Sequence, residues 1–121
     1  MSNRTVMVVD DEPLLREMVA DVLQSEGYQV VEAANGREAL WQLRQGGVRP
    51  DLIVLDLMMP VMTGWEFRDE QLRDVRLAAI PVLVVSGSSM GAVRADCRLA
   101  KPYTIEALLD AVLACAPDAR A

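Results

Sequence analysis

The sequence predicts an α/β domain built on a doubly wound, five-stranded parallel sheet with helices on both faces. Three runs of four apolar residues, at 6–9, 52–55 and 82–85, predict its inner strands. Strands covered on both faces have such continuous apolar runs. Amphipathic helical patterns alternate with these strands, which is typical of a parallel sheet joined by right-handed crossovers.

The first helix is predicted between Pro13 and Gly27, because proline suits a first helical turn and glycine a C-terminal stop. Its expected core face has helical spacing and consists of Leu15, Met18, Val19, Val22 and Leu23. Residues 29–33 then mix polar with apolar side chains. We therefore place them as a strand at an edge of the sheet, where one side contacts water.

A second helix is predicted from Asn35, which can cap its N-terminus, to the stop at Gly46 and Gly47. Its apolar stripe consists of Gly36, Ala39, Leu40 and Leu43. A third helical segment extends from Trp65 to about Val75. Its stripe is weak, and we place Trp65 in its buried start.

The last strand, residues 97–100, is again mixed and is predicted at the other edge, so the order 2-1-3-4-5 is favoured. Thr104 can cap the last helix, whose stripe consists of Ile105, Leu108, Leu109, Val112 and Leu113. Only residues 87–100 separate Ser86 from Lys101, and a parallel crossover normally needs a dozen residues or more. We therefore expect a fourth helix shortened to about two turns, near residues 89–94.

Length and charge favour one globular domain. The chain has 121 residues, of which 52% are hydrophobic and 25% charged, and its net charge is −6. We expect a single domain with its core at about residues 4–116 and a frayed tail at 117–121. The acidic balance argues against a non-specific nucleic-acid binder or a polybasic membrane anchor. No run of 18 apolar residues and no secretory signal occur, so we expect no membrane span and a cytoplasmic location.

Histidine is missing and lysine occurs once. Without histidine, these residues cannot form a Ser-His-Asp triad, a histidine acid–base pair or the usual zinc sites. The single lysine, Lys101, contrasts with eleven arginines. Cys97 and Cys115 form no CxxC pattern, and we interpret them as reduced, inert apolar groups.

Acidic residues follow two inner strands at the edge where parallel strands end. Asp10, Asp11 and Glu12 follow the first strand, and Asp56 follows the third. Crowded carboxylates repel one another, so we expect a cation among them. Oxygen ligands without histidine or thiolate favour Mg²⁺ over Zn²⁺ or Cu²⁺. The three acids alone could form a solvated cluster at a helix N-terminus, but their combination with Asp56 and Lys101 favours a site.

Ser86, Gly87 and Lys101 follow the fourth and fifth strands at the same edge. A hydroxyl, an unobstructed N–H and an ammonium suit the oxygens of a phosphoryl group. Asp56, opposite them, can act as the nucleophile that forms an acyl phosphate. These residue types at these strand ends therefore predict phosphoryl transfer to Asp56.

Four motifs, in this order and each at a strand end, carry a family resemblance. They are VVDDEP at 8–13, LDLMMP at 55–60 with Gly64, VSG at 85–87 and KPY at 101–103. Over about residues 4–116 the chain resembles the response-regulator receiver domain, the phosphoryl-accepting module of two-component signalling. The resemblance implies a flavodoxin-like, CheY-like fold. It also implies a signalling domain that catalyses its own phosphorylation rather than a conventional enzyme.

The resemblance assigns roles to the matching residues. Asp56 corresponds to the phosphoacceptor, and Ser86 and Lys101 to the pair that contacts the phosphate. Asp11, Asp56 and the backbone carbonyl of Met58 correspond to the Mg²⁺ ligands, with Asp10 assisting through water. The donor is a phosphohistidine on a sensor histidine kinase or a phosphotransfer protein. Output is expected by contact with an unidentified protein, without nucleic acid or membrane.

Two departures fall on the family's usual output face. The crossover at residues 87–100 is short, and Arg98 replaces the aromatic residue that usually stands three positions before the lysine. Tyr103 matches a family aromatic but not that switch residue. Met58, two residues after the acceptor, is apolar and cannot position an attacking water, so we predict slow autodephosphorylation.

Three other functions compete with this interpretation. A degenerate receiver, an interaction module that never carries phosphate, is supported by the unusual output face and opposed by the complete site. A haloacid-dehalogenase-like phosphatase would need a second aspartate where Met58 stands. A flavodoxin-like FMN carrier would need a phosphate loop rich in serine or threonine after the first strand, where this chain has three acids.

Overall fold

A computed structural model of the chain describes residues 4–87 and 95–116. Within these ranges five strands and four helices follow one another as β1 (Thr5–Val9), α1 (Pro13–Ser25), β2 (Gln29–Ala33), α2 (Gly36–Arg44), β3 (Leu52–Asp56), α3 (Gly64–Arg73), β4 (Val82–Ser86), β5 (Cys97–Ala100) and α4 (Ile105–Cys115). The strands form one parallel sheet in the order β2-β1-β3-β4-β5. The predicted fold class and strand order are confirmed.

The three apolar runs are the inner strands of the sheet. Every residue of β3 and β4 is buried, and so is β1 after its first residue. The edge strands β2 and β5 are only partly buried, as their mixed composition predicted. The parallel register aligns Val9 with Leu55, Asp56 with Val85, and Ser86 with Ala100. The residues that end these strands therefore meet at one edge of the sheet.

Alternate side chains of the strands supply two core layers, one on each face of the sheet. One layer packs Met7, Ile53 and Val84 against α2 and α3. The other packs Val8 and Val54 against α1 and α4. Because successive side chains of a strand point to opposite faces, a strand must be apolar at every position to serve both layers. The continuous apolar runs follow from this requirement.

The helix ends follow the predicted signals. Gly27, just after α1, has a φ of +98°, a conformation that residues with a Cβ rarely adopt. Asn35 caps α2 by accepting a hydrogen bond of 2.9 Å from the Glu38 N–H. Thr104 caps α4 by accepting one of 3.0 Å from the Ala107 N–H. The last strand is therefore followed immediately by a well-defined helix start.

Some helix faces were predicted wrongly. Trp65 is 38% exposed, and Phe67 is the fully buried aromatic of α3. Met18 is also exposed, because the buried side of α1 is centred on Val19, Ala20 and Leu23. The predicted stripe omits Ala20, which is buried, and includes Met18, which is 43% exposed. A small side chain such as that of alanine gives a weaker apolar signal than methionine does.

The apolar stripe predicted for α4 is wider than the face that the structure buries. Ile105 and Leu113 are exposed, whereas Leu108, Val112 and Cys115 are buried. Positions 108, 112 and 115 follow the four- and three-residue spacing of a single narrow helix face. Apolar content at Ile105 and Leu113 therefore widened the predicted stripe beyond the surface that the sheet covers.

Two predicted features lie outside the described residues: the shortened fourth helix near residues 89–94 and the frayed tail at 117–121. No helix within the described ranges is both long enough and apolar enough to cross a membrane.

Candidate phosphoryl-transfer site

Three carboxylates meet at the carboxyl edge of the sheet. Asp10 and Asp11 follow β1, and Asp56 is the last residue of β3. One carboxylate oxygen from each lies within 4.8 Å of those of the other two. Asp10 and Asp56 are buried, and Asp11 is half-buried. The predicted convergence of acids from the first and third strands is thus present.

Backbone hydrogen bonds and one arginine fix the turn that carries Asp10. The Asp10 N–H donates to the Ala33 carbonyl at 3.1 Å, and the Glu12 N–H donates to Asp10 Oδ1 at 2.9 Å. Arg16 donates to the Asp10 carbonyl oxygen at 2.7 Å and pairs with Glu32 at 3.1 Å. Arg16 therefore ties this turn to the β2 edge. Sequence reasoning missed its role, because an arginine one turn into a helix carries no distinguishing signal.

Gly64 fixes the position of Asp56 by close packing. A Cβ on Gly64 would lie 2.7 Å from Leu57 Cα and 2.8 Å from the Asp56 carbonyl oxygen. The Gly64 N–H also donates to the Leu57 carbonyl at 2.9 Å. The first turn of α3 can approach the end of β3 this closely only because residue 64 has no side chain. The sequence places Gly64 after the LDLMMP motif but does not show this contact.

Lys101 and Ser86 complete the site from the other side of Asp56. The Lys101 N–H donates to the Ser86 carbonyl at 2.9 Å, which ties the end of β5 to the end of β4. The Lys101 Nζ lies 3.6 Å from Asp56 Oδ1. Ser86 is buried, whereas the neighbouring Gly87 is exposed. Four of the five strands thus contribute to the site a residue that either ends the strand or directly follows it.

The charge balance of the site is unfavourable for the carboxylates. Burial raises the pKa of Asp56 above its ordinary value; the nearby Lys101 charge opposes this rise, and the Asp10 charge adds to it. Burial also raises the pKa of Asp10, against the Glu12 backbone hydrogen bond and the Lys101 charge. One lysine therefore does not compensate the buried negative charge, and a further cation would be bound favourably.

Tyr103 lies near the site and was assigned no role from the sequence. Burial raises the pKa of the Tyr103 phenol, and the charges of Asp10 and Asp56 raise it further. The residue helps to line an open pocket of about 500 Å³, together with Leu15, Met18, Gly87, Lys101 and Pro102. Lys101 forms part of the pocket wall, and most of the other lining residues are apolar.

The donor set fits a hard divalent cation. The chain has no histidine, and the cluster offers three carboxylates within mutual reach. Carboxylates, a carbonyl and waters are the ligands of octahedral Mg²⁺, whereas Zn²⁺ favours histidine and thiolate. The Met58 N–H lies 3.4 Å from Asp56 Oδ1, so the backbone at Met58 passes beside the Asp56 carboxylate. Its carbonyl as a metal ligand stays a prediction.

Comparison with known proteins finds one family across most of the chain. The sequence profile of the response regulator receiver domain matches residues 6–113. Sporulation initiation phosphotransferase F of Bacillus subtilis is 34% identical over 120 residues, which cover 93% of each protein. The alkaline phosphatase synthesis transcriptional regulatory protein SphR of Synechococcus elongatus is 39% identical over 112 residues, covering 81% of this chain. This chain covers 43% of that regulator, less than half its length.

Solved structures give the same fold. The chemotaxis protein CheY4 of Vibrio cholerae superposes with a TM-score of 0.84 at 35% identity, covering 94% of this chain and 99% of that one. The receiver domain of the sensor histidine kinase PA1611 from Pseudomonas aeruginosa superposes with a TM-score of 0.87 at 20% identity, covering 97% and 100%. That structure has a magnesium ion coordinated in its active-site cleft. At this identity the likeness to PA1611 shows the fold alone.

Proposed function

The chain belongs to the response regulator receiver domain family of two-component signalling, and on that premise we propose that Asp56 accepts a phosphoryl group from a partner's phosphohistidine. The observation that carries the proposal is the position of Asp56. One of its carboxylate oxygens lies within 4.8 Å of carboxylate oxygens of Asp10 and Asp11, and its Oδ1 lies 3.6 Å from the Lys101 ammonium. A nucleophile with both a cation site and an ammonium beside it is what transfer of a charged group requires.

The chemistry follows from these neighbours. A carboxylate oxygen of Asp56 attacks phosphorus, the bond from phosphorus to the imidazole nitrogen breaks, and its electron pair stays with the imidazole. The product is an acyl phosphate on Asp56. Lys101, 3.6 Å from Asp56 Oδ1, then exchanges a contact with the carboxylate for one with a phosphoryl oxygen. In the proposal, the Ser86 hydroxyl and the Gly87 N–H donate to the remaining oxygens.

Asp10, Asp11, Asp56 and the Met58 carbonyl would hold Mg²⁺. When bound, the ion neutralises charge on the carboxylates and on the phosphoryl oxygens. The raised pKa of Asp10 and Asp56 supports a positive ligand here, because buried carboxylates of like charge are costly without one. The magnesium of the PA1611 receiver domain is consistent with this choice.

The donor histidine lies outside these 121 residues, which contain none. We propose a sensor histidine kinase or a phosphotransfer protein as the donor, and output by protein contact rather than by nucleic-acid or membrane binding. The name of the Bacillus subtilis relative, a phosphotransferase, supports transfer between proteins. SphR is named a transcriptional regulator, but this chain covers only 43% of its length. Its name therefore does not support DNA binding by this chain.

Mixing the protein with Mg²⁺ and a small acyl phosphate tests the proposal. We expect the intact mass to increase by one phosphoryl group, and this gain to be lost in Asp56→Asn and on removal of Mg²⁺. Asp110→Asn, an exposed substitution on α4, serves as the control and should be phosphorylated like the wild type. A wild type that stays unmodified under these conditions would contradict the proposal.

A degenerate receiver remains the second candidate, because Arg98 stands exposed on β5 at the position where the family usually has an aromatic residue. Such a module would bind its partner equally well with or without phosphate. The same experiment separates the two functions: a domain that never takes up phosphate but retains Mg²⁺ binding would favour the degenerate receiver.

A further inference from the structure

The fold brings together the only two cysteines of the chain. Cys97 begins β5, and Cys115 ends α4. Both are free thiols; Cys115 is buried, and Cys97 is partly exposed. Both side chains pack in the same core layer, between the sheet and the helices α1 and α4. They therefore lie on the same face of the sheet, one on a strand and the other on the helix that covers it.

One backbone carbonyl locates the two residues relative to each other. The Cys115 Sγ donates a weak hydrogen bond of 3.8 Å to the Val82 carbonyl oxygen. The same oxygen accepts a hydrogen bond of 3.1 Å from the N–H of Asp96, the residue directly before Cys97. In the register of the sheet, Cys97 then lies opposite Leu83. The Cys115 sulfur is thus placed beside the first residue of β5.

The surroundings of Cys115 disfavour its thiolate. Burial raises the pKa of the Cys115 thiol, and the neighbouring Cys97 side chain raises it further. Cys115 is therefore held as the protonated, enclosed partner of the pair. Cys97, which reaches the surface, is the sulfur that a dissolved oxidant can meet first, since thiol oxidation follows exposure.

We propose that Cys97 and Cys115 form a reversible intramolecular disulfide when a hydroperoxide oxidises the protein. The Cys97 thiol gives its proton to solvent, and its sulfur attacks one oxygen of hydrogen peroxide. The O–O bond breaks, a sulfenic acid and hydroxide form, and the hydroxide takes a proton back from solvent to become water. The Cys115 sulfur then attacks the sulfenic sulfur, the S–O bond breaks, and the thiol proton leaves with the oxygen as a second water. Two thiols are oxidised by two electrons, and one hydrogen peroxide is reduced.

The bond would tie the start of β5 to the end of α4. The segment between them carries Lys101, so the tether encloses the part of the chain that supplies the site's ammonium. A cross-link of this kind restricts the unfolded chain and raises stability when it fits the native geometry. The inference itself does not depend on phosphorylation of Asp56.

Peroxide treatment of the whole chain tests the inference. The protein is incubated with hydrogen peroxide, quenched with catalase, unfolded in guanidinium chloride so that buried thiols react, alkylated with iodoacetamide and weighed. We expect loss of two hydrogens with neither cysteine alkylated, and both thiols returned by dithiothreitol. Trypsin cleaves after Arg94 and Arg98 but not at Lys101–Pro102. The non-reducing digest should therefore contain residues 95–98 joined to residues 99–120.

Cys97→Ser and Cys115→Ser are the matched controls, and each should lose the joined peptide. Cys97→Ser should keep Cys115 as an alkylatable thiol, whereas Cys115→Ser should leave Cys97 as a sulfenic acid that dithiothreitol returns to the thiol. The thermal midpoint should rise on oxidation in the wild type alone. If the buried substitution at Cys115 prevents folding, Cys97→Ser still provides the comparison. Two outcomes would overturn the inference: both thiols of the wild type remaining open to alkylation after peroxide, or the joined peptide occurring only in covalent dimers. Peroxide can also oxidise methionine, which adds the mass of oxygen to the intact protein. Peptide mapping locates that oxygen and so distinguishes it from changes at the two cysteines.

Discussion

At the scale of single residues, the central feature is a buried negative charge with too little compensation. Asp10 and Asp56 are both buried, and burial raises the pKa of each. Lys101 lies 3.6 Å from Asp56, and its charge lowers the pKa of both aspartates without offsetting the rise that burial causes. The uncompensated charge should therefore reduce the stability of the metal-free domain, and a cation bound at this site, as proposed, would remove that cost.

Asp56→Asn should stabilise the metal-free domain at neutral pH, on the order of 1 kcal/mol. Because the folded pKa of Asp56 lies above the unfolded value, the charged form favours unfolding. The penalty is absent below the unfolded pKa of about 3.8 and grows as the pH rises through the folded pKa. Urea unfolding in EDTA across this pH range measures the gain, with exposed Asp110→Asn as the control. A stabilisation equal at all pH values would contradict the electrostatic explanation.

Met58 sets a second expectation at this scale. Its side chain is 64% exposed and stands two residues after Asp56, the proposed acceptor. An apolar side chain there could not hold a water for attack on an acyl phosphate. We expect a long-lived phosphoryl group and a several-fold faster loss in Met58→Asn, followed by intact mass over time. Val61→Asn is the matched control, since Val61 is exposed in the same loop and its φ of 68° suits asparagine. Loss within seconds in the wild type would contradict this expectation.

At the scale of elements, the approach of α3 to β3 determines where Asp56 stands. Gly64→Ala would force a Cβ to 2.7 Å from Leu57 Cα, so the helix start and the strand end must separate. We expect a loss of about 1–3 kcal/mol in the free energy of unfolding, together with slower phosphorylation. Gly87→Ala is the control for stability, because its Cβ would approach nothing nearer than 3.8 Å. Equal stability of the two variants would contradict the packing argument.

A buried glutamine joins α3 to the turn before β4. Gln71 is fully buried, accepts a hydrogen bond of 2.8 Å from Arg68, and donates to the carbonyls of Leu77 and Ile80 at 2.9 and 3.1 Å. Gln71→Ala leaves these carbonyls without that donor and should cost about 1–3 kcal/mol. Thermal or urea unfolding measures the loss. Gln24→Ala, exposed on α1, should be nearly neutral; if Gln71→Ala is neutral too, the network does not contribute to stability.

At the scale of the whole molecule, the sequence predicted the sheet because a strand buried on both faces requires a continuous run of apolar residues. An inner strand needs apolar residues at every position and an edge strand does not, so strand order followed from composition. The site followed in turn, since parallel strands end at one edge and the residues after each strand must meet there. The convergence of Asp10, Asp11, Asp56 and Lys101 was predicted in this way.

The rotation of a helix about its axis and the place where it crosses the sheet are not encoded by any local sequence pattern. The exposure of Trp65 and the burial of Phe67 depend on how α3 is rotated about its axis. The closeness of Cys97 to Cys115 depends on where α4 crosses β5. A weak apolar stripe does not fix the rotation of a helix, and two cysteines in different elements carry no signal of their separation.

Mg²⁺ binding, measured by calorimetry at neutral pH, tests most directly whether the acidic edge of the sheet holds a divalent cation beside the phosphoryl acceptor. We predict one site in the wild type, affinity weakened about tenfold or more in Asp11→Ala because a charged oxygen ligand is lost, and no change in Asp21→Ala, an exposed acid on α1. Unchanged Mg²⁺ affinity in Asp11→Ala would contradict the assignment of the site.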